Sequence, residues 1–320
     1  MRPVNAKTGK AYGSALGYGF FHLVIRLGGV RLAYALLYLV LPYYLLLRPS
    51  VLKCQLPYLR RRFPGLSGWA LKRKAASHLA GFAKVLIDQA AAGVLGPASL
   101  KPDFPGQQGF YQLAARPRGL VLLTSHVGAW LPAMATLERM PKPVHLMMDR
   151  EFLGGGHFFE LAGIAERFRF ISPRGPMGGV VQALQALQQG GCVSAMGDRQ
   201  LGPGRELCGD FLGSPAAFPA SPFHLASAAD AGVAMLLARR TGPLAVAIES
   251  HVLDEGLDLK ALPREEAAAE LLRRYIARLE DYTSRHPEAW YNFYDFWGQA
   301  APATDPQPPT RRTLCDSKTN

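Results

Sequence analysis

Residues 119–137 read GLVLLTSHVGAWLPAMATL, and this stretch decides the fold. Its residues 120–123 form a continuous apolar run that is too short for a helix and typical of a buried strand. Small and polar residues then interrupt the run, and apolar residues return at helical spacing from Trp130 onward. The stretch therefore predicts a strand, a turn and a helix, with His126 in the turn.

The position of His126 makes it a candidate catalytic residue. In open α/β sheets, ligands bind beside the carboxyl ends of the strands. Histidine titrates near neutral pH and can take a proton from a hydroxyl group. We therefore interpret His126 as a general base, with Ser125 and Gly128 as substrate-binding neighbours. The competing interpretation is that His126 only caps the helix or fills space.

Two further predicted strands also end in an acidic residue followed by an arginine: Asp149, Arg150, Asp198 and Arg199. If these strands share an edge with the first, their ends converge on His126. Arginine can hold phosphate oxygens in a bidentate grip. Arg150, Asp198 and Arg199 are thus predicted to bind substrate. A surface salt bridge is the alternative for Asp198 and Arg199.

Positive charge is concentrated in the first quarter of the chain. The net charge is +12, and residues 1–87 contain 14 Lys and Arg but no Asp or Glu, whereas the rest contains 22 basic and 24 acidic residues. Such a block indicates an anionic partner, which could be membrane lipid, nucleic acid or an acidic carrier protein. Nucleic acid is disfavoured because the basic residues adjoin an apolar run and no nucleic-acid-binding motif is present.

The same quarter is strongly apolar between residues 17 and 47. Its uncharged part, residues 32–47, contains Pro42 and is shorter than the roughly 20 residues that span a bilayer. Its tyrosines suit a membrane interface. We expect a membrane-embedded or in-plane helix, with a buried core helix as the alternative and a clean transmembrane span disfavoured.

Taken together, these patterns divide the chain into three parts. Residues 1–95 are predicted to be a basic, apolar, membrane-associating helical region, and residues 299–320 a disordered tail. Between them, strands alternate with helices over residues 96–298, which predicts an α/β domain with a central mixed sheet flanked by helices. Its last elements are expected to be a loop reaching Phe211, a helix capped by Ser221, strands at 233–238 and 244–248, and a helix at 263–285.

Three motifs resemble the bacterial lipid A biosynthesis acyltransferases, within the wider lysophospholipid acyltransferase group. HVGAWL at residues 126–131 is similar to that family's HxGNWE motif. GDR at 197–199, followed by FLG at 211–213 and FPASPFHLA at 218–226, is similar to its second block. HPEAWYNFYDFW at 286–297 looks like its PEQWYNFFDFW ending. The likeness covers roughly residues 15–298.

The resemblance implies a glycerolipid acyltransferase-like fold and a reaction. A fatty acyl chain would pass from an acyl carrier protein or coenzyme A thioester to a hydroxyl group of a membrane lipid or lysophospholipid. His126 would be the base, and neither a cofactor nor a metal would be required. The resemblance also implies a place on the cytoplasmic face of the bacterial inner membrane, peripheral or singly anchored, in contact with anionic lipids.

One departure from the family motif bears on catalysis. The family has an acid five residues after its histidine, whereas this chain has Leu131 there, and Ala129 replaces the usual Asn. An enzyme of this sequence needs another group to orient His126; the candidates are Asp198, Asp149, a backbone carbonyl and the substrate phosphate. On this reasoning Leu131→Glu would raise activity. The alternative is a catalytically lapsed relative that binds lipid or acyl carrier protein.

Overall fold

The computed structural model describes residues 15–47, 49–134, 137, 139–148, 165–199, 204–294 and 296–298. The predicted tail at 299–320 and the first 14 residues lie outside these ranges. The strands are β1 (Lys101–Asp103), β2 (Leu120–Thr124), β3 (Val144–Met147), β4 (Phe168–Ile171), β5 (Cys192–Met196), β6 (Glu206–Phe211), β7 (Ser214–Pro219), β8 (Gly232–Gly242) and β9 (Ala245–Val252).

Helices surround these strands along the whole described chain. They are α1 (Ala15–Leu47), α2 (Pro49–Arg62), α3 (Gly68–Leu95), α4 (Gln107–Ala114), α5 (Trp130–Met134), α6 (Val180–Gln188), α7 (Ser221–Ala229) and α8 (Arg264–Arg285). Short 3₁₀ turns precede β1, β4 and α6. The predicted α/β class is confirmed.

The central sheet of the described chain has seven strands in the order β1-β9-β8-β2-β5-β3-β4. Strand β2 is parallel to both of its neighbours, β5 and β8, while β8 and β9 are antiparallel. The sheet is therefore mixed, as predicted. The carboxyl ends of β2, β5 and β3 lie at one edge because these strands are mutually parallel.

Strand β2 is buried on both faces, which explains its uninterrupted apolar sequence. Leu120 and Leu122 belong to the core on one side of the sheet, which also receives α3, α4 and α5. Val121 and Leu123 belong to the core on the other side, which receives α2, α6, α7 and α8. The helices α2 and α3 thus pack into the same two cores as the sheet.

Several predicted elements differ from the observed ones. The expected loop before Phe211 is instead the antiparallel hairpin β6–β7. Strand β8 continues past its expected end at residue 238 to Gly242, so that only residues 243 and 244 separate it from β9. Ser221 is the first residue of α7 and its cap position is Ala220, with no side-chain cap bond. The helix expected from Trp130 onward is α5, which spans Trp130–Met134 in the described chain.

Helix α1 is broken at Gly29, whose φ of 68° and ψ of −176° are not helical. A positive φ of this kind is accessible to glycine because it has no Cβ. Beyond the break, α1 is tied to the domain through Asp88 of α3. The carboxylate of Asp88 accepts hydrogen bonds from the Tyr34 hydroxyl and from Arg240 Nε, the latter at 2.7 Å.

Residues Gly19–Tyr43 of α1 form a helix long and apolar enough to cross a membrane, judged by length and composition, with a mean hydropathy of 1.7. Only 17% of the most apolar window is buried. The break at Gly29 divides it into pieces of about 15 Å and about 21 Å. Each piece is shorter than the roughly 30 Å of a bilayer's hydrocarbon core. Helix α1 therefore offers a large exposed apolar surface that is interrupted at Gly29.

Candidate functional site

The register of β2 and β5 brings His126 and Asp198 together. Thr124 pairs with Met196 at the carboxyl ends of these parallel strands. Each chain continues for two residues past the pair, so His126 and Asp198 occupy equivalent positions at the sheet edge. Asp198 is completely buried, and the His126 side chain is 16% exposed. Parallel pairing of these two strands is the direct cause of the contact.

His126 is held by Asp198 through both its ring and its backbone. The ring Nδ1 lies 2.8 Å from Asp198 Oδ1, and the backbone N–H of His126 donates to Asp198 Oδ2 at 2.7 Å. A carboxylate accepts at both oxygens, so the ring proton resides on Nδ1 and the other ring nitrogen, Nε2, is left unprotonated. Among the described residues, no hydrogen-bond partner meets Nε2. A base with this tautomer can accept a proton at Nε2.

The pKa shifts of His126 and Asp198 favour a neutral imidazole beside an ionised carboxylate. Burial and the charge of Arg199 hold the pKa of His126 below its usual value, while Asp198 opposes that shift. Burial acts to raise the pKa of Asp198, but the charge and hydrogen bonds of His126 and the Trp290 indole outweigh it, so this pKa lies below its usual value. Near neutral pH the pair is thus an imidazole oriented by a carboxylate.

Gly128 serves the backbone geometry of the turn. Its φ is +51°, and a Cβ built there would lie 2.2 Å from the carbonyl oxygen of Ala238 in β8. Its N–H donates to the carbonyl of Ala289. The predicted substrate-binding residue is therefore a site where the chain approaches β8 too closely for any side chain, and its N–H already has a partner.

Of the predicted substrate-binding residues Ser125 and Arg150, the structure describes only Ser125. Ser125 is 1% exposed, and its hydroxyl oxygen is buried. Ser125 is closed to solvent in this arrangement, and its role in substrate binding stays a prediction. Arg150 and its neighbour Asp149 lie outside the described residues, so their predicted roles stay predictions.

Arg199 lies at the same edge and is not paired with Asp198 in a surface salt bridge. Its NH2 group donates to Asn292 Oδ1 at 3.1 Å, and its guanidinium carbon lies 4.7 Å from the centre of the Tyr294 ring. Its Nε atom is buried with no hydrogen-bond partner among the described residues. Arg199 thus places a positive charge beside His126, held in orientation by an amide and an aromatic face.

The C-terminal strap, residues 289–294, completes the site and was not predicted to contribute to it. Val127 and Trp290 form an antiparallel bridge, and the Tyr291 N–H donates to the carbonyl of His126 at 2.8 Å. The Trp290 indole donates to Asp198 Oδ2 at 2.8 Å. The aromatic run around Trp290 is visible in the sequence. The single Asn within this run, Asn292, is the residue that could have indicated a polar contact there.

A cavity of about 390 Å³ opens next to Arg199 at the carboxyl ends of β3 and β5. Its lining is mainly apolar and includes Met147, Met177, Leu184, Met196 and Leu225. The polar part of the wall includes Arg199, Arg205, Ser221, His224 and Arg264, whereas His126 is not itself a lining residue. The cavity suits a ligand that combines an apolar chain with a negatively charged or strongly polar group.

No cluster of three His, Cys, Asp or Glu side chains is placed to hold a metal ion within the described ranges. No family model matches this sequence, and no curated protein matches it significantly.

Proposed function

We propose that this protein transfers a fatty acyl chain from an acyl carrier protein or coenzyme A thioester to a hydroxyl group of a membrane lipid or lysophospholipid. The observation that carries the proposal is the 2.8 Å contact between His126 Nδ1 and the buried Asp198 carboxylate, at a sheet edge beside Arg199. A carboxylate-oriented histidine is the arrangement that activates a hydroxyl nucleophile. It supplies the orienting acid that Leu131 does not.

In the proposed reaction, Nε2 of His126 removes the proton of the acceptor hydroxyl. The hydroxyl oxygen attacks the thioester carbonyl at the same time. The carbon–sulfur bond breaks as the tetrahedral intermediate collapses, and the imidazolium returns its proton to the departing thiolate. Asp198 stabilises the imidazolium that forms between these two steps. Arg199 supplies a positive charge for the oxyanion or for a phosphate of either substrate.

The cavity beside Arg199 supports an amphiphilic substrate. Apolar side chains, among them three methionines and two leucines, form most of its wall, and each methylene group buried there would contribute about 0.8 kcal/mol. The arginines on its wall suit an anionic headgroup or a thioester carrier with a phosphate. The glycerolipid acyltransferase-like type of α/β fold is part of the same proposal.

We also propose that α1 and the basic helices α2 and α3 hold the domain on an anionic membrane, on the cytoplasmic face of a bacterial inner membrane. Large apolar side chains of α1 are exposed, with Leu27 at 79% and Leu39 at 75%. Residues 1–87 carry no acid that would repel anionic lipid. Each Lys or Arg close to such a surface contributes about 1 kcal/mol, attenuated by salt.

The test is a transfer assay with the full-length protein in lipid vesicles. Labelled palmitoyl coenzyme A and palmitoyl acyl carrier protein serve as donors, and lipid extracted from bacterial inner membranes serves as acceptor. We expect labelled lipid product from the wild type and none from His126→Gln. His251→Gln is the matched control, because His251 has a comparable exposure of 21% and lies in β9, away from the pair.

Two outcomes would contradict the proposal. Transfer that persists in a folded His126→Gln variant excludes His126 as the base. A wild type that binds the acyl thioester but forms no product with either donor indicates the lapsed, binding-only relative instead.

A further inference from the structure

The carboxylate of Asp198 is enclosed by groups from more than one part of the chain. Its Oδ1 faces the His126 ring, and its Oδ2 accepts from the backbone N–H of His126 and from the Trp290 indole. Trp290 is 0% exposed and lies 92 residues further along the chain. His126 contacts the Asp198 side chain from the β2–β5 edge, whereas the Trp290 indole contacts it from a distant part of the chain.

Trp290 is itself fixed from three directions. Its ring packs edge-on against the rings of Tyr58 in α2 and Phe211, with distances between ring centres of 4.8 Å and 5.2 Å. Its carbonyl oxygen lies 3.1 Å from Nε2 of His78 in α3. An indole held this tightly cannot follow the carboxylate if Asp198 rotates. It therefore restrains the carboxylate, and the carboxylate restrains the imidazole.

From these contacts we infer that Trp290 is a positioning residue for the His126–Asp198 pair, fixing the carboxylate through the indole N–H so that the imidazole keeps one tautomer and one direction. This inference rests on the proposed acyl transfer for its catalytic consequence, whereas the hydrogen-bond linkage it describes exists without substrate. A positioning hydrogen bond to an anion also tunes its basicity, because each donor disperses part of the negative charge. Removing one donor leaves a carboxylate that attracts the imidazolium more strongly.

The chain offers a matched control for this hydrogen bond. Trp297 is also buried, at 8% exposed, and its indole donates to a backbone carbonyl, that of Phe211, at 3.0 Å. Trp290→Phe and Trp297→Phe each remove one indole N–H, delete one hydrogen bond to a buried acceptor and shrink one ring. Only the first change touches the carboxylate of Asp198.

The first measurement is the titration of the His126 ring by NMR in the full-length protein, with its signal assigned from the spectrum of His126→Gln. In Trp290→Phe the midpoint should move to higher pH, because the carboxylate that faces Nδ1 has lost one donor. In Trp297→Phe it should stay at the wild-type value. Equal midpoints in the two variants, or a shift in Trp297→Phe alone, would overturn the inference.

A second measurement needs no substitution at Trp290. The Nε1–H signal of Trp290 should move with the titration midpoint of His126 in the wild type, and the signal of Trp297 should not. A Trp290 signal that stays constant through that titration would overturn the inference even if Trp290→Phe fails to fold.

The catalytic consequence is measured in the transfer assay. By analogy with the outer hydrogen-bonding partners of metal-bound histidines, we expect kcat to fall about tenfold to a hundredfold in Trp290→Phe, with KM unchanged. The acid limb of the pH profile should move upward with the His126 midpoint. A wild type without transfer activity refutes the proposed function but not the positioning role, which the two NMR measurements decide.

Discussion

Replacing Asp198 by asparagine tests the central contact with almost no change in shape. The carboxylate accepts three hydrogens, from the His126 N–H at 2.7 Å, from Nδ1 at 2.8 Å and from the Trp290 indole at 2.8 Å. An amide has one oxygen that accepts and one NH2 group that only donates. If the amide oxygen keeps the partners of Oδ2, the NH2 group faces Nδ1. Nδ1 must then be unprotonated, and the proton moves to Nε2.

The expected magnitude follows from that change of tautomer. With a proton on Nε2, His126 cannot accept the proton of the acceptor hydroxyl. The equivalent change in a serine-protease triad lowers kcat about 10⁴-fold, which corresponds to about 5.4 kcal/mol in the activation free energy. We expect a loss of the same order in Asp198→Asn. The pKa of His126 should also fall further, because Asp198 is the group that raises it.

The assay combines acyl transfer, the NMR titration of His126 and the melting temperature. Asp254→Asn is the matched control, since Asp254 is also buried, accepts from the Val233 N–H at 3.0 Å and pairs with Arg118. It should lower the melting temperature but spare transfer and the His126 titration. Transfer above about a tenth of the wild-type rate in folded Asp198→Asn would refute the reasoning.

Three further predictions follow from the same structure. Leu131→Glu should not raise acyl transfer, because Asp198 already meets Nδ1 of His126; higher product formation would contradict this. Burial lowers the pKa of His78 to about 4, so the unfolded chain binds a proton that the folded chain does not. His78 alone should therefore lower the free energy of unfolding by about 3 kcal/mol between about pH 6.5 and 4, and urea titrations of His78→Gln should show a decline that is shallower by about that amount. Leu39→Lys should weaken flotation with anionic vesicles at an unchanged melting temperature, whereas Val252→Lys, in β9, should not.

The prediction for Leu131 shows how the sequence and the structure differ in what they reveal. From the motif alone, restoring an acid at this position was expected to raise activity. The β2–β5 register supplies the acid from Asp198 instead, so no rise in activity is expected from Leu131→Glu. The sequence named Asp198 as one of four candidates to orient His126, and it also assigned this residue to substrate binding.

Other features also separate into those that local sequence predicts and those that depend on contacts between distant parts of the chain. The turn containing His126 was predicted because a buried strand leaves a continuous apolar run and a helix leaves an apolar period, both of which are local patterns. Gly128 was singled out, but its close approach to Ala238 was not visible because β8 lies far along the chain. The β6–β7 hairpin was missed because β6 carries polar and glycine residues where an alternating pattern would be needed.

The sequence by itself determined the α/β class, the buried strand β2, the turn with His126 and the basic, apolar first quarter. Each of these depends on burial, period or charge within one segment of the chain. Only the tertiary structure decided that β5 lies beside β2, which joins His126 to a residue 72 positions away, and that Trp290 closes on the same carboxylate. The order and register of parallel strands depend on how all the strands and helices pack together, so the partner of His126 is defined only when the sheet is assembled.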